Sequence, residues 1–206
     1  MTRAGTVQRP PEQSLQQFPS TRLTKGTRIH RAARREPWFF CACGECRFDL
    51  PEPKGTLYAG TDPLVGVLEC IGPELAGGTI GSAFLAARTL WSYVVSSDLR
   101  LAHLTARRAA GFGVTNELTS MTPYEVPQAW AAAFEATNGF DGIRSRARFD
   151  PGGAARAIAL FGPSGTRTWR SRNDGPCDRT EIIDRLRSEC AITVADPPRL
   201  AQLDVR

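Results

Sequence analysis

The arrangement of apolar and polar positions changes character several times along the chain. Residues 1–20, MTRAGTVQRPPEQSLQQFPS, hold no apolar core and are rich in Gln, Pro and Ser, which predicts a disordered tail ahead of a single domain over 21–206. From residue 27, TRIHRA alternates as a short strand does, with Arg28 and His30 on one face and Ile29 and Arg31 on the other. A polar stretch containing CACGEC leads to RFDLPEPKGTLYAG, where Pro51, Pro53 and Gly55 mark turns before a strand at TLYA. In TDPLVGVLECIG the period lengthens to that of a helix. Asp62 suits the N-cap, Pro63 the first helical position and Gly72 the stop. Leu64, Val67, Leu68 and Ile71 form its apolar stripe, with Glu69 at the border.

Residues 99–104 (LRLAHL) read as another strand, and VPQAWAAAFEATNG as a helix opened near Pro127 and closed by Asn138-Gly139. IRSRARF and RAIALFG are two further strands. DRTEIIDRLRSE is an amphipathic helix with Ile182, Ile183 and Leu186 inward, and a strand at AITVA follows. Strands outnumber long helices and do not alternate with them regularly. That order predicts an α+β fold rather than a doubly wound sheet.

Composition narrows the picture without choosing a function. With 206 residues, 41% apolar and 23% charged, the chain suits one globular domain with a real core. A net charge of +5 fits an anionic partner such as a nucleotide, a nucleic acid or an acidic headgroup, or else a plain arginine bias. The longest apolar region, GTIGSAFLAARTLWSYVV, is interrupted by Gly81 and Arg88 and falls short of a membrane span. No signal peptide is visible, so a cytoplasmic location without a membrane partner is expected. The six cysteines then read as thiols. Cys41, Cys43 and Cys46 are clustered, but C-x-C-x-x-C is not the paired C-x-x-C spacing and no histidine lies nearby. Free thiols, and no metal, are the expectation.

The candidate chemistry begins with Arg28, Arg31, Arg34 and Arg35. Guanidinium groups grip phosphates bidentately, although a solvated basic edge looks the same in sequence. P-loop, G-x-G-x-x-G, helix-turn-helix, zinc-finger and RNP-type patterns are absent, which counts against direct nucleic-acid binding. Tyr58 ends one strand and Glu69 lies on the helix after it. An aromatic ring and a carboxylate facing one pocket suit a sugar that carries a cationic, planar leaving group. Cleavage of such an N-glycosidic bond passes through an oxocarbenium-like state that a carboxylate stabilises. The plainer alternatives are a surface glutamate and a core tyrosine. His30 and His103 read as structural.

Taken in order, GTRIHRA, PWFF, ECRFDLP, GTLYAGTDPLVGVLE, PQAWAAAF, GFDGIRSRARFDPGG and AIALFG resemble the RES domain family over residues 22–195. The resemblance implies a toxin-like protein that consumes NAD+, with the ADP-ribosyltransferase-like arrangement of a mixed β core and flanking helices. It implies NAD+ as substrate with no other cofactor, and Arg28 at the dinucleotide phosphates with Arg31 as its competitor. Tyr58 is then placed against the nicotinamide or ribose, and Glu69 at the ribose and the developing cation. Ser145 and Arg148 are implied substrate contacts. A small helix-turn-helix antitoxin is an implied protein partner. The expected activity is NAD+ glycohydrolase or phosphorylase, with an attenuated nucleotide-binding homologue or an ADP-ribosyltransferase as alternatives.

In DGIRSRARFD the chain departs from the family pattern, which implies a tyrosine at position 145 and an active-site serine at 147. Ser145 and Ala147 stand there instead, while DGIR and RFD fit without a gap. Loss of one hydrogen bond to a charged ligand costs about 1.5–3 kcal/mol, roughly tenfold to a hundredfold in affinity or rate. Weakened turnover, not its abolition, is the expected consequence. The cysteine-rich loop is a second departure, for which the resemblance offers no role.

Overall fold

The computed structural model describes residues 8–75, 77–147 and 156–196. In chain order the elements are β1 (Ser20–Leu23), β2 (Arg28–Ala33), β3 (Phe39–Phe40), β4 (Lys54–Gly60), α1 (Pro63–Ile71), β5 (Thr79–Gly81), α2 (Ser82–Ala86) and β6 (Thr89–Val94). They continue as β7 (Leu99–His103), α3 (Glu125–Ala136), β8 (Gly142–Arg146), β9 (Arg156–Pro163), β10 (Gly165–Thr166), β11 (Ser171–Pro176), α4 (Thr180–Cys190) and β12 (Thr193–Ala195). Eight strands join in one mixed sheet of order β1-β7-β8-β9-β4-β2-β6-β11. Only the β7–β8 pair in it is parallel. The α+β expectation holds: a mixed sheet with helices at its flank.

The period-2 rule decides what each face of the sheet carries. In β4, Leu57 and Ala59 join a core with Ile29, Trp38, Phe40, Leu101 and Leu160. Tyr58, one step out of phase, points to the opposite side and packs against a second core built on Trp130, Phe134, Phe140 and Ile143. β2 alternates as its sequence predicts, with Ile29 wholly buried on the Leu57 side. His30 pairs with Gly60 and therefore shares the Tyr58 side.

Helix α1 lies on that side because its sequence lets it come close. The Asp62 carboxylate accepts a hydrogen bond from Leu64 N–H at 2.8 Å, so the cap is the one the sequence predicts. Arg185 of α4 meets the same carboxylate at 3.1 Å. Leu64, Val67, Leu68 and Ile71 bury against Leu90, Ile182 and Leu186 in a third core. The helix touches the sheet through glycines. A Cβ added to Gly66 falls 2.8 Å from the His30 carbonyl oxygen, and one on Gly60 falls 2.7 Å from Gly66 N. Close backbone contact of this kind excludes any side chain.

The predicted disordered tail is corrected from residue 8 onward. Leu15 and Phe18 are buried, and Phe18 packs at 4.7 Å from Phe134 and 5.0 Å from Phe112. Gln8 holds Thr115 N–H at 2.7 Å and donates to the Gly113 carbonyl at 3.0 Å, while Trp130 Nε1 donates to the Arg9 carbonyl. Two well-spaced apolar residues are enough to cover one flank of α3, and Pro10-Pro11 reduces the chain entropy lost in ordering it. Residues 1–7 lie outside the described residues. Helix α3 starts at Glu125, ahead of the expected opening near Pro127, and Asn138 takes the left-handed conformation (φ 52°) after its end.

Two stability effects follow. Gly66→Ala is expected to lower stability by about 1–3 kcal/mol through overpacking. Gly111→Ala, where an added Cβ meets nothing within 4 Å, is expected to stay within about 0.5 kcal/mol; urea unfolding midpoints check both. Burial holds His30 below its ordinary 6.5, aided by Arg28 and Arg179 and opposed by Asp174 and Asp62. The unfolded chain therefore takes up a proton that the folded site resists. This contribution to stability is complete above about pH 6.5 and is lost as pH falls below it. Unfolding midpoints measured across that range are expected to decline less steeply in His30→Gln.

Candidate active site

On the Tyr58 side of the sheet, a narrow cleft opens between α1 and the strands β8 and β9. It is lined by Tyr58, Glu69, Ser145, Arg47 and Arg146, with a floor of Ala157 and Ala159. Five polar residues thus meet at the cleft from four separate segments. Register explains the convergence: Tyr58 pairs with Ala159, and Ser145 with Ala157, so both side chains rise beside small residues on one face. Glu69, at the edge of the buried stripe of α1, faces them across the gap. The enclosed volume is about 20 Å³, room for a single water. The described residues form the deep end of a cleft rather than a chamber for a whole dinucleotide.

The Tyr58 hydroxyl is fully engaged below the cleft. It accepts from Phe48 N–H at 2.9 Å and donates to Asp49 Oδ1 at 2.9 Å. Burial, with the Asp49 charge beside it, raises its pKa well above the ordinary phenol value, so it stays a neutral donor. What Tyr58 offers the cleft is the ring. Thr56 Oγ1 holds the Phe48 carbonyl at 2.7 Å, which fixes the segment carrying Arg47 to β4. The Arg47 guanidinium lies 5.5 Å from the ring of Tyr124, just ahead of α3.

The competing arginines separate. Arg31 reaches under β4, where Nη1 donates to the Tyr58 carbonyl at 2.9 Å, and burial lowers its pKa from the ordinary value. Arg28 is not brought to the cleft. It is exposed, donates to Ser92 Oγ at 2.9 Å, and lines a separate open hollow of about 630 Å³ with Tyr93, Trp169, Arg170 and Arg172. The one-residue alternation of β2 places the two arginines on opposite faces, so they cannot serve one site together. Arg148 lies outside the described residues. Ser145 is buried on the cleft wall, and Ala147, just past the end of β8, is buried as well.

Arg47 and Arg146 line the cleft and Asp49 accepts from the Tyr58 hydroxyl, and the sequence reading singled out none of the three. Arg47 was legible in principle, because it sits inside the ECRFDLP segment that carries the family resemblance. Asp49 gave no signal of its own, since its importance comes from a tyrosine nine residues on. The cysteine loop also differs from expectation in one respect. Donor atoms of Cys41, Cys43, Cys46 and Asp49 all lie within 4.8 Å of one another, so a carboxylate stands as a fourth candidate ligand where a histidine was sought.

The chain matches the RES domain over residues 25–180 and belongs to that family. Among solved structures, a chain in the crystal structure of the M. tuberculosis MbcT–MbcA toxin–antitoxin complex is similar, with a TM-score of 0.54 and 16% identity. The match covers 75% of this chain and 87% of that one. At that identity the likeness speaks for the fold alone. Comparison with curated proteins gave no match. Among the described residues, no helix is long and apolar enough to cross a membrane.

Removing the Tyr58 hydroxyl leaves a buried carboxylate oxygen and a backbone N–H without their shared partner. Tyr58→Phe is expected to cost about 1–3 kcal/mol of stability, measured by urea unfolding.

Proposed function

We propose that the protein consumes NAD+ by cleaving the bond between nicotinamide and ribose C1′. The observation that carries this reading is the meeting of Glu69 with the Tyr58 ring in one cleft, flanked by the cationic Arg47 and Arg146. Membership of the RES domain family supports it. As the C1′–N bond breaks, its electron pair leaves with nicotinamide, and positive charge grows on the ribose. Glu69 is the carboxylate placed to stabilise that charge. The Tyr58 ring flanks the departing nicotinamide. A water then adds through its oxygen to C1′ and releases a proton, giving ADP-ribose; phosphate as acceptor gives the phosphorylase outcome instead.

The phosphate grip is assigned to Arg47 and Arg146, two cationic residues that line the cleft. Arg31 acts through the Tyr58 carbonyl as a positioning residue. No cofactor beyond NAD+ is needed for this chemistry. The toxin–antitoxin complex among the similar structures supports, as a proposal, a toxin role held in check by an antitoxin protein at the cleft mouth.

A second reading rests on Ala147. A buried methyl stands where the family pattern implies a serine hydroxyl, so a weakly active or purely nucleotide-binding homologue is its natural consequence. Ser145 still presents a hydroxyl on the wall, two residues back.

Nicotinamide release from NAD+ by the purified protein tests both. Glu69→Ala is expected to lower release at least about a hundredfold without changing the circular dichroism spectrum. Arg47→Ala is expected to raise KM by about tenfold or more, with Arg28→Ala far less affected. NAD+ binding without release overturns the enzymatic reading, and a gain of tenfold to a hundredfold in Ala147→Ser supports attenuation. Label from NAD+ appearing on a protein, instead of free ADP-ribose, moves the assignment to ADP-ribosyl transfer.

A further inference from the structure

We propose that Cys41, Cys43, Cys46 and Asp49 form a tetrahedral zinc site on the loop that brings Arg47 and Phe48 to the cleft. The four donor atoms come from one nine-residue segment and already lie within 4.8 Å of one another. Cys41 is anchored by a two-way backbone pairing with Thr56, at 2.9 and 2.8 Å. Gly44, at φ 76°, provides the left-handed turn that folds Cys46 back towards Cys43. Gln128 of α3 holds the turn from outside, donating to the carbonyls of Gly44 and Cys46.

Backbone amides are aimed at the donors. Cys43 N–H points to Cys41 Sγ and Glu45 N–H to Cys43 Sγ, each at 3.5 Å, while Cys46 N–H reaches Asp49 Oδ2 at 3.1 Å. Burial pushes the Cys41 and Cys46 thiols up to about 12 without a metal, so binding must displace their protons. The second carboxylate oxygen, Oδ1, is oriented by Tyr58, the kind of outer partner that metal-bound carboxylates have. Three soft sulfurs and one oxygen select zinc over magnesium or calcium. Arg31 lies within electrostatic reach of Cys41 and Cys46 and offsets part of the remaining negative charge.

One adjustment is required. Cys41 and Cys43 sulfurs stand 2.8 Å apart, whereas zinc bonds of about 2.3 Å hold two sulfurs about 3.8 Å apart. Cys43 is exposed, so it opens by about 1 Å without disturbing the core. The proposal does not depend on NAD+ cleavage, because its readout is metal content.

The test is elemental analysis of the full chain purified without chelator, followed by cobalt substitution. One zinc per chain and the ligand-field absorption of tetrahedral cobalt–thiolate are expected. Cys43→Ser and Cys46→Ser are expected to weaken zinc binding at least about tenfold in competition with a chromophoric chelator. Glu45→Gln, on the same turn but not a ligand, is expected to bind as the parent does. Zinc far below one per chain with no cobalt–thiolate absorption overturns the site. So does a thiol count on the unfolded protein showing Cys41 and Cys43 bonded to each other. Should a serine variant not fold, cobalt titration of the parent protein decides alone.

Discussion

One phenolic hydroxyl joins the parts of this molecule that matter for chemistry. Tyr58 holds Asp49 with its proton and Phe48 N–H with its lone pair, so a central strand, the arginine-bearing segment and the cysteine loop meet at a single oxygen. The group is buried, and a buried hydrogen bond left unmade costs more than a made one contributes. The cleft wall therefore has one low-energy arrangement. The same engagement defines what Tyr58 can do in the cleft: it presents a ring face, not a proton.

Glu69 depends on a different constraint, the bare backbone of Gly60 and Gly66. With no Cβ between them, α1 rests directly on β2 and β4, and its polar border falls opposite Tyr58 and Ser145. A helix held one methyl further away would carry its carboxylate out of the cleft with it. The Asp62 cap, shared with Arg185, fixes the helix end from which Glu69 is counted. Position thus comes from packing and capping, and charge from a single residue. Cationic character at the cleft is supplied by Arg47 and Arg146, from elements that reach the site independently.

Much of this was legible where local signals and tertiary demands agree. The cap, proline and stripe of TDPLVGVLECIG gave α1 its bounds, and the alternation of TRIHRA gave β2 its faces. Strand β6 was hidden inside a long, largely apolar region, whose periodicity distinguishes poorly between strand and helix. Strand β11, SRNDGP, pairs on one side only at the sheet edge and has no apolar alternation to announce it. In the N-terminal segment, composition pointed to disorder while two residues, Leu15 and Phe18, decided the outcome by packing on α3. At the site, Tyr58 and Glu69 were visible through the family resemblance. Arg28 shares His30's face of β2 but lies towards β6, where it donates to Ser92, and sequence alone does not say how far across that face the cleft extends. Asp49 was missed because its partners are assembled only by folding.

The most direct test of the account is a crystal structure of Glu69→Gln with NAD+ bound. The account predicts the nicotinamide ribose beside residue 69 and the Tyr58 ring, with the pyrophosphate against Arg47 and Arg146. A dinucleotide lying instead in the hollow of Arg28, Tyr93 and Trp169, with the α1–β8 cleft unchanged, would contradict it.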